Sequence, residues 1–318
     1  MAKYLKFLNG YRMPSVGLGT YGLTGESCKR TVDEALSLGY RHFDTAVSYR
    51  NEKDIGETLC LAQKQDRIQR EDVFITTKIP SIYLSPEDVK YCVRESLDNL
   101  KVTYLDLLLI HNPWGLRNKG DGNFKPVNDE GQLDFVHYDL TETWKSLENL
   151  VNSGSVRSIG MSNFSVPQIE RILLNCKIKP SNIQLECHAY YQQRKIKQYC
   201  DLKSITLSAY GPLGSPDRPE HHRLEKHTVL LDEQVIRHIA SDYRKTPAQI
   251  LLRFLIQNGF AVLPKSQNYN RMKENINLFD FNISAMDMGK IQGLDKGVKY
   301  FIFESFKHHP EFLDGEHF

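Results

Sequence analysis

Short apolar runs alternate with longer amphipathic segments along most of the chain. The apolar runs have the length of buried strands, and the segments between them place apolar residues at helical spacing. One run, DLLLIH, is too apolar for a sheet with an exposed face, which is typical of parallel sheets. The predicted strands are VGLGT, HFDTA, VFITTK, DLLLIH, VRSIGMS, IQLECH, ITLSAY and AVLPKS. Eight strands that alternate with helices predict an α/β fold, a (β/α)8 TIM barrel that residues 1–318 form as a single domain.

Local signals support these elements. Asn9-Gly10 stands between two short runs and predicts an N-terminal β-hairpin, because both central residues of a type I′ turn need positive φ. Ser85 and Pro86 suit an N-cap and a first helical position, and Gly39 suits a helix end.

Two long polar segments and an aromatic tail interrupt the alternation of predicted strands and helices. Residues 112–140 and 211–231 are rich in Gly and Pro, and both follow predicted strands. In a barrel such loops lie over the carboxyl ends of the strands, where long loops usually serve binding. The tail after Leu294 is a third candidate wall of a pocket, with its aromatic residues Tyr300, Phe301, Phe303 and Phe306.

Composition narrows the function classes. The 318 residues carry a net charge of +2, which gives no electrostatic case for nucleic acid or a membrane surface as partner. No run of about 18 apolar residues predicts a membrane span. The first ten residues lack the apolar core of a signal peptide, and the six cysteines form no CxxC pair, so reduced thiols and a cytoplasmic location are expected.

Four polar residues lie at or just past the ends of successive predicted strands: Asp44, Tyr49, Lys78 and His111. A parallel barrel brings such strand ends together on one face, where barrel enzymes carry their chemistry. Taken singly, each has a structural explanation, such as an ion pair, a barrel-mouth tyrosine or a core histidine. Together, a carboxylate, a phenol, an ammonium and an imidazole make a proton-donating site.

At these residues the chain resembles the aldo-keto reductase family. The resemblance extends from the hairpin through the motifs GLGTY, FDTAVSYRNE, ITTK, LLLIH, IGMSNF, IQLECHAYY, SAYGPLGSP and LPKS. It implies a barrel that binds a nicotinamide cofactor without a Rossmann domain, and it implies reduction of aldehydes and ketones to alcohols. The expected partner is therefore a small-molecule carbonyl substrate, and the expected oligomeric state is a monomer.

The resemblance assigns a catalytic role to each of the four residues. Tyr49 would be the general acid, and the charge of Lys78 would lower the pKa of its phenol from the ordinary value of about 10. Asp44 would hold Lys78 charged. His111 has two candidate roles, orienting the carbonyl oxygen or sharing the proton relay, and the resemblance favours the first. A glutamate at that position marks steroid double-bond reductases in the family, so His111 favours carbonyl reduction.

The same resemblance implies NADPH/NADP+ as the cofactor. Ser162, Asn163 and Gln184 offer the groups that a carboxamide needs, and Tyr210 offers a flat ring for the nicotinamide. Lys265, Ser266 and Arg271 suit a 2′-phosphate, since arginine offers paired donors. The remaining expected cofactor contacts are Gly19 and Thr20 in the first strand, Tyr21 directly after it, Asp44, the loop residues Leu213, Ser215 and Asp217, and Glu274 and Asn275 at the adenine.

No metal site is expected. His221-His222 and His308-His309 are adjacent pairs in polar segments, and adjacent side chains rarely chelate one ion. Cys187-His188 is expected inside a strand, where successive side chains face opposite ways.

Two departures from the family pattern concern the substrate. Asn112 follows His111 where many relatives have tryptophan, and Tyr21 follows GLGT where many also have tryptophan. With Tyr49 and His111, these two are the expected substrate contacts. A roomier and more polar pocket favours a larger, hydroxylated ketone. The alternatives are a selective ketosteroid or ecdysteroid reductase and a non-enzymatic barrel with a binding or structural role.

Overall fold

Eight parallel strands form the central sheet in the computed structural model, which describes residues 3–216 and 229–312. Their order in the sheet follows their order in the chain, and each neighbouring pair is parallel. A parallel bridge between Val16 and Val262 brings the first and last strands together, so the sheet forms a nearly closed barrel. The strands are β3 (Leu18–Gly19), β4 (His42–Asp44), β5 (Phe74–Ile79), β6 (Leu107–Ile110), β7 (Ile159–Ser162), β8 (Asn182–Glu186), β9 (Thr206–Tyr210) and β10 (Phe260–Leu263). The predicted (β/α)8 barrel is confirmed.

Helices follow the strands and surround the barrel. Those in the described part of the chain are α1 (Gly25–Ser37), α2 (Glu52–Lys64), α3 (Pro86–Leu100), α4 (Leu140–Asn152), α5 (Val166–Asn175), α6 (Arg194–Lys203), α7 (Gln234–Tyr243), α8 (Pro247–Gln257), α9 (Tyr269–Ile276) and α10 (Ala285–Gln292). The predicted capping of α3 is confirmed, because Ser85 Oγ accepts the backbone N–H of Asp88 at 3.1 Å. Gly39 has φ of +93° just past the end of α1, as a helix end of this kind requires.

The predicted hairpin lies across the amino-terminal end of the barrel. Its strands β1 (Tyr4–Lys6) and β2 (Arg12–Pro14) pair antiparallel, and Gly10 in the turn has φ of +90°. Asn9 does not have positive φ, so the predicted type I′ turn is wrong, and the backbone N–H of Phe7 closes a longer loop by donating to the carbonyl oxygen of Tyr11 at 2.9 Å. Phe7 and Met13 from the hairpin join a separate apolar cluster with Phe74, Leu107, Leu109 and Ala261 from the barrel strands. The hairpin therefore closes this end, and the opposite end of the barrel remains for a site.

Two local predictions differ from the structure. The sixth strand of the barrel, β8, ends at Glu186, so Cys187 and His188 lie beyond it and not inside it. The chain turns there because His188 and Tyr191 pair their backbones in a bridge. The helices α9 and α10 had no sequence prediction, although Asn268 caps α9 by accepting the N–H of Arg271 at 3.0 Å.

No helix in residues 3–216 and 229–312 combines the length and the apolar content needed to cross a membrane.

We expect alanine substitutions at two glycines to change the stability of the protein in opposite directions. A Cβ on Gly160, in β7, would lie 2.2 Å from the carbonyl oxygen of Asn182 in the neighbouring strand. Gly160→Ala should therefore lower the free energy of unfolding by about 1–3 kcal/mol. Gly289, inside α10, has nothing within 4 Å of the corresponding position, so Gly289→Ala should raise stability by up to about 1 kcal/mol. Urea unfolding of both variants tests this pair, and equal effects would contradict it.

Candidate active site

The four strand-end residues meet at the open end of the barrel. Asp44 ends β4, Lys78 lies near the end of β5, and His111 directly follows β6. Tyr49 ends a short 3-10 turn, Val47–Tyr49, that follows β4. Its ring centroid lies 5.6 Å from that of His111, and the Lys78 ammonium lies 5.1 Å from the phenol ring centroid.

A buried ion pair lies beneath the phenol. Lys78 Nζ donates to Asp44 Oδ1 at 2.6 Å and to the carbonyl oxygen of Thr45 at 2.8 Å, and Lys78 is completely buried. The second carboxylate oxygen of Asp44 accepts from Gln184 Nε2 at 2.7 Å. Burial lowers the pKa of Lys78, and the charge of Asp44 opposes that effect. The two charges are thus paired and hydrogen-bonded, as buried charges require.

The phenol of Tyr49 does not have the lowered pKa that the sequence reasoning expected. Burial raises its pKa well above the ordinary value, and the charge of Asp44 raises it further. Desolvation is the main cause, because a buried phenolate would lose its hydration, and the carboxylate of Asp44 adds a negative charge nearby. Tyr49 therefore retains its proton at neutral pH, which is the form that a proton donor needs.

The imidazole of His111 is held neutral. Burial, with the nearby charge of Lys78, lowers its pKa to about 3. The hydroxyl of Ser48 lies 3.5 Å from His111 Nδ1 and lines the same cavity. A neutral ring presents one N–H, so His111 is suited to hydrogen-bonding an oxygen and not to attracting an anion by charge. Sequence reasoning missed Ser48, whose only signal was its position directly before Tyr49.

A second group of polar side chains adjoins the first. Asn163, which follows β7 with φ of +62°, donates through Nδ2 to the carbonyl oxygen of His111 at 3.0 Å and to Asn112 Oδ1 at 2.8 Å. Its Oδ1 accepts from the Tyr210 hydroxyl at 2.7 Å. The Nδ2 group also lies 3.3 Å from Ser162 Oγ. These contacts join the ends of β6, β7 and β9 into one polar surface.

The basic residues lie at the amino-terminal end of α9. Lys265 and Ser266 precede this helix, and Arg271 lies in its first turn. The side chains of Lys265 and Arg271 form no ion pair with any residue in the described ranges. A helix amino terminus with unpaired cations beside it is suited to a phosphate.

One cavity of about 1500 Å³ connects both groups. Its lining contains these sequence-predicted residues: Gly19, Thr20, Tyr21, Asp44, Tyr49, His111, Asn112, Ser162, Asn163, Gln184, Tyr210, Leu213, Ser215, Lys265, Ser266, Arg271, Glu274 and Asn275. Lys78 lies beneath the lining, and Asp217 lies outside the described residues. The tail contributes Phe301, Phe303 and Phe306, and the segment 112–140 contributes Phe124 and Lys125, which sequence reasoning did not single out.

Among the described residues no group of three or more His, Cys, Asp or Glu side chains is arranged to hold a metal ion. His309 accepts the N–H of Glu311 at 3.0 Å through Nδ1, and His188 Nε2 lies 3.0 Å from Glu186 Oε1. His221 and His222 lie outside the described residues.

The neutral state of His111 gives a pH-dependent contribution to stability. Its pKa of about 3 in the folded protein lies below the ordinary value of about 6.5, so the unfolded chain binds a proton that the folded protein does not. This contribution is present above about pH 6.5 and is lost as the pH falls from 6.5 toward 3. Between about pH 7.5 and about pH 5, the wild type should lose up to about 2 kcal/mol more stability than His111→Asn.

Urea unfolding at the two pH values tests this expectation. His238→Asn is the matched control, since its side chain is 75% exposed on α7. Parallel pH dependence in wild type and His111→Asn would show that the ring is not held neutral by the fold.

Comparisons with known proteins agree with this geometry. The sequence profile of the aldo/keto reductase family matches residues 15–296. The chain is 38% identical over 301 residues to aldo-keto reductase family 1 member A1 of Gallus gallus, covering 94% of this chain and 90% of that protein. It is 39% identical over 313 residues to aldo-keto reductase family 1 member C13 of Mus musculus, covering 97% and 96%.

Comparison with a solved structure shows that the similarity includes the fold. The aldose reductase from Schistosoma japonicum superposes with a TM-score of 0.92 at 38% identity, and the match covers 100% of both chains. The family profile spans most of the chain, and relatives of nearly equal length share more than a third of its residues. The chain therefore belongs to the aldo/keto reductase family, as an NADP-dependent oxidoreductase that acts on carbonyl groups.

Proposed function

We propose that the protein reduces aldehydes and ketones to alcohols, with Tyr49 as the general acid. The observation that carries this proposal is the buried Lys78–Asp44 pair beneath a protonated phenol that adjoins His111. When bound, NADPH supplies the hydride that reaches the carbonyl carbon.

The residues of the cavity fit that cofactor. Ser162, Asn163 and Gln184 offer hydroxyl and amide groups of the kind that a carboxamide needs, and each lines the cavity. Tyr210 lines it too, which supports stacking of the nicotinamide on its ring. At the other end, Lys265 and Arg271 would hold the 2′-phosphate that distinguishes NADPH from NADH.

The remaining cofactor contacts line the same cavity. We assign the adenine to Glu274 and Asn275, the pyrophosphate to Leu213 and Ser215, and close backbone approach to Gly19 and Thr20.

The proton follows a short path. The O–H of Tyr49 transfers its proton to the carbonyl oxygen as negative charge develops there, which leaves a phenolate. The ammonium of Lys78, 5.1 Å from the ring centroid, stabilises that phenolate. The neutral ring of His111 orients the carbonyl oxygen, which is consistent with its pKa of about 3. Asp44 keeps Lys78 charged throughout.

The substrate is proposed to be a ketone larger than a simple aromatic aldehyde. Asn112 and Tyr21 provide polar groups near the reacting centre, and the aromatic tail provides an apolar wall opposite. The same observation favours a second candidate, a selective ketosteroid or ecdysteroid reductase. Comparing kcat/KM for a 3-oxo-steroid with that for a simple aromatic aldehyde separates a selective enzyme from a broad one. We further propose that the chain acts in the cytoplasm as a monomer with one barrel domain.

The remaining alternative is a barrel with a binding or structural role. The complete set Asp44, Tyr49, Lys78 and His111 argues against a loss of catalysis. Tight NADPH binding without NADPH oxidation across a panel of carbonyl compounds would favour this alternative.

Tyr49→Phe removes the hydroxyl group of the proposed general acid and keeps its aromatic ring. We expect kcat to fall by about 10²–10⁴-fold while the dissociation constant for NADPH changes less than about twofold. Steady-state kinetics with a carbonyl substrate and fluorescence titration with NADPH measure the two quantities. Tyr91→Phe, at a 47% exposed residue of α3, is the control. A Tyr49→Phe enzyme that kept most of its kcat would refute the assignment.

Arg271→Ala tests recognition of the 2′-phosphate. Loss of a charge-assisted contact should weaken NADPH binding by about 10–100-fold and leave NADH binding nearly unchanged. Lys273→Ala is the matched control, since Lys273 is an exposed cation on the same helix that does not line the cavity. Equal losses for the two cofactors would mean that Arg271 does not contact the 2′-phosphate.

A further inference from the structure

The chain after α10 returns across the open end of the barrel along the segment that follows β8. The backbone N–H groups of Lys296 and Val298 both donate to the carbonyl oxygen of Tyr190, each at 3.1 Å. Beyond these bonds the chain continues into residues 301–306, all of which line the cavity. The wall beside the proposed substrate is therefore a segment whose position depends on how it is attached.

Glu186, the last residue of β8, makes that attachment. Its Oε1 accepts the N–H of Tyr300 at 2.5 Å, and its Oε2 accepts the N–H of Phe301 at 3.0 Å. His188 Nε2 lies 3.0 Å from Oε1, and the His188 ring stacks on the Tyr300 ring with centroids 4.6 Å apart. Glu186 is 1% exposed, so these bonds replace the water that it loses.

Two oxygens of one carboxylate that bind two successive N–H groups fix both the position and the direction of the chain at this point. That direction places Phe301 against Tyr210, with ring centroids 5.4 Å apart, and it leads to Phe303, whose ring lies 5.0 Å from Trp114. Phe301 adjoins the ring proposed to stack on the nicotinamide, and Phe303 lines the same cavity.

Glu186 also lies two residues beyond Gln184 in the same strand. Residues two apart in a strand point to the same face. Gln184 donates to Asp44 at 2.7 Å. One strand thus carries both a contact to the catalytic ion pair and the attachment of the wall.

We infer that Glu186 is a positioning residue that fixes the C-terminal wall, residues 301–306, against β8 and so sets the size of substrate that the pocket accepts. This inference rests on the proposed reductase function for its kinetic consequence, but the attachment itself is testable without catalysis.

The kinetic test compares Glu186→Gln with Glu148→Gln. Glu148 is also buried and also accepts two successive N–H groups, those of Lys177 and Ile178 at 2.6 and 2.8 Å, but it lies outside the cavity. In Glu186→Gln an amide NH₂ faces a backbone N–H, so one attachment is lost. We expect KM for a bulky apolar ketone to rise about tenfold. The kcat for a small aldehyde and the Kd for NADPH should each stay within about twofold, and Glu148→Gln should change none of these constants.

A fluorescence test reports the wall directly. The chain has two tryptophans, so in a Trp144→Phe background Trp114 is the single indole, and it packs against Phe303 and Phe306. We expect acrylamide to quench Trp114 more strongly in Glu186→Gln than in the background protein, and equally in Glu148→Gln and the background.

The outcomes separate the two proposals. Unchanged quenching together with an unchanged KM for the bulky ketone would overturn the inference. An equal loss of kcat/KM for all substrates, with weaker NADPH binding, would also overturn it, because Glu186 would then act on the cofactor pocket or the fold. If the wild type reduces no carbonyl compound, the reductase proposal fails, and the quenching result alone decides whether Glu186 holds the wall.

Discussion

The site depends on one interaction, the ion pair between Lys78 and Asp44 inside the barrel mouth. Lys78 is completely buried and Asp44 is 4% exposed, so neither charge is tolerable alone. The pair is acceptable because each partner has further hydrogen bonds, from Lys78 to the Thr45 carbonyl and from Gln184 to Asp44. Asp44, Lys78 and Gln184 come from β4, β5 and β8, which the parallel sheet brings to one place. The fold and the chemistry are therefore constrained together, since the sheet must form for the charges to be paired.

Burial explains why Tyr49 retains its proton, and the charge of Asp44 adds to the effect. A lone ammonium near the ring would act in the opposite direction and favour the phenolate. With Asp44 beside Lys78, burial dominates and raises the pKa of the phenol. In the proposed mechanism, the phenol releases its proton to a carbonyl oxygen as negative charge forms there, and the ammonium then faces the new phenolate. The proposed acid would thus hold its proton in the resting state and release it only as the reaction proceeds.

The amino-acid sequence predicts those parts of this arrangement that depend on local pattern. Asp44, Lys78 and His111 were identifiable because each ends an apolar run, and a parallel barrel gathers the ends of such runs. Glu186 is different, because its partners Tyr300 and Phe301 are more than a hundred positions away and contribute only backbone N–H groups, which leave no trace in the sequence. The helix α9 was missed because its segment YNRMKENI is mostly polar and lacks a clear apolar period. The direction of the Tyr49 pKa shift was also inaccessible, since it depends mainly on how deeply the folded chain buries the phenol.

The strand β8 links the buried ion pair to the C-terminal wall of the cavity. Gln184 donates to the carboxylate of Asp44, and Glu186 accepts the backbone N–H of Tyr300, directly before the C-terminal wall. A strand inside a hydrogen-bonded barrel is among the most rigid parts of a protein, whereas a terminal segment is ordinarily among the least. Attachment to this strand limits the movement of the C-terminal wall, as the hydrogen-bonded sheet limits that of the strand. The proposed substrate wall and the polar groups of the site are therefore held by the same strand, which supports a defined geometry between them.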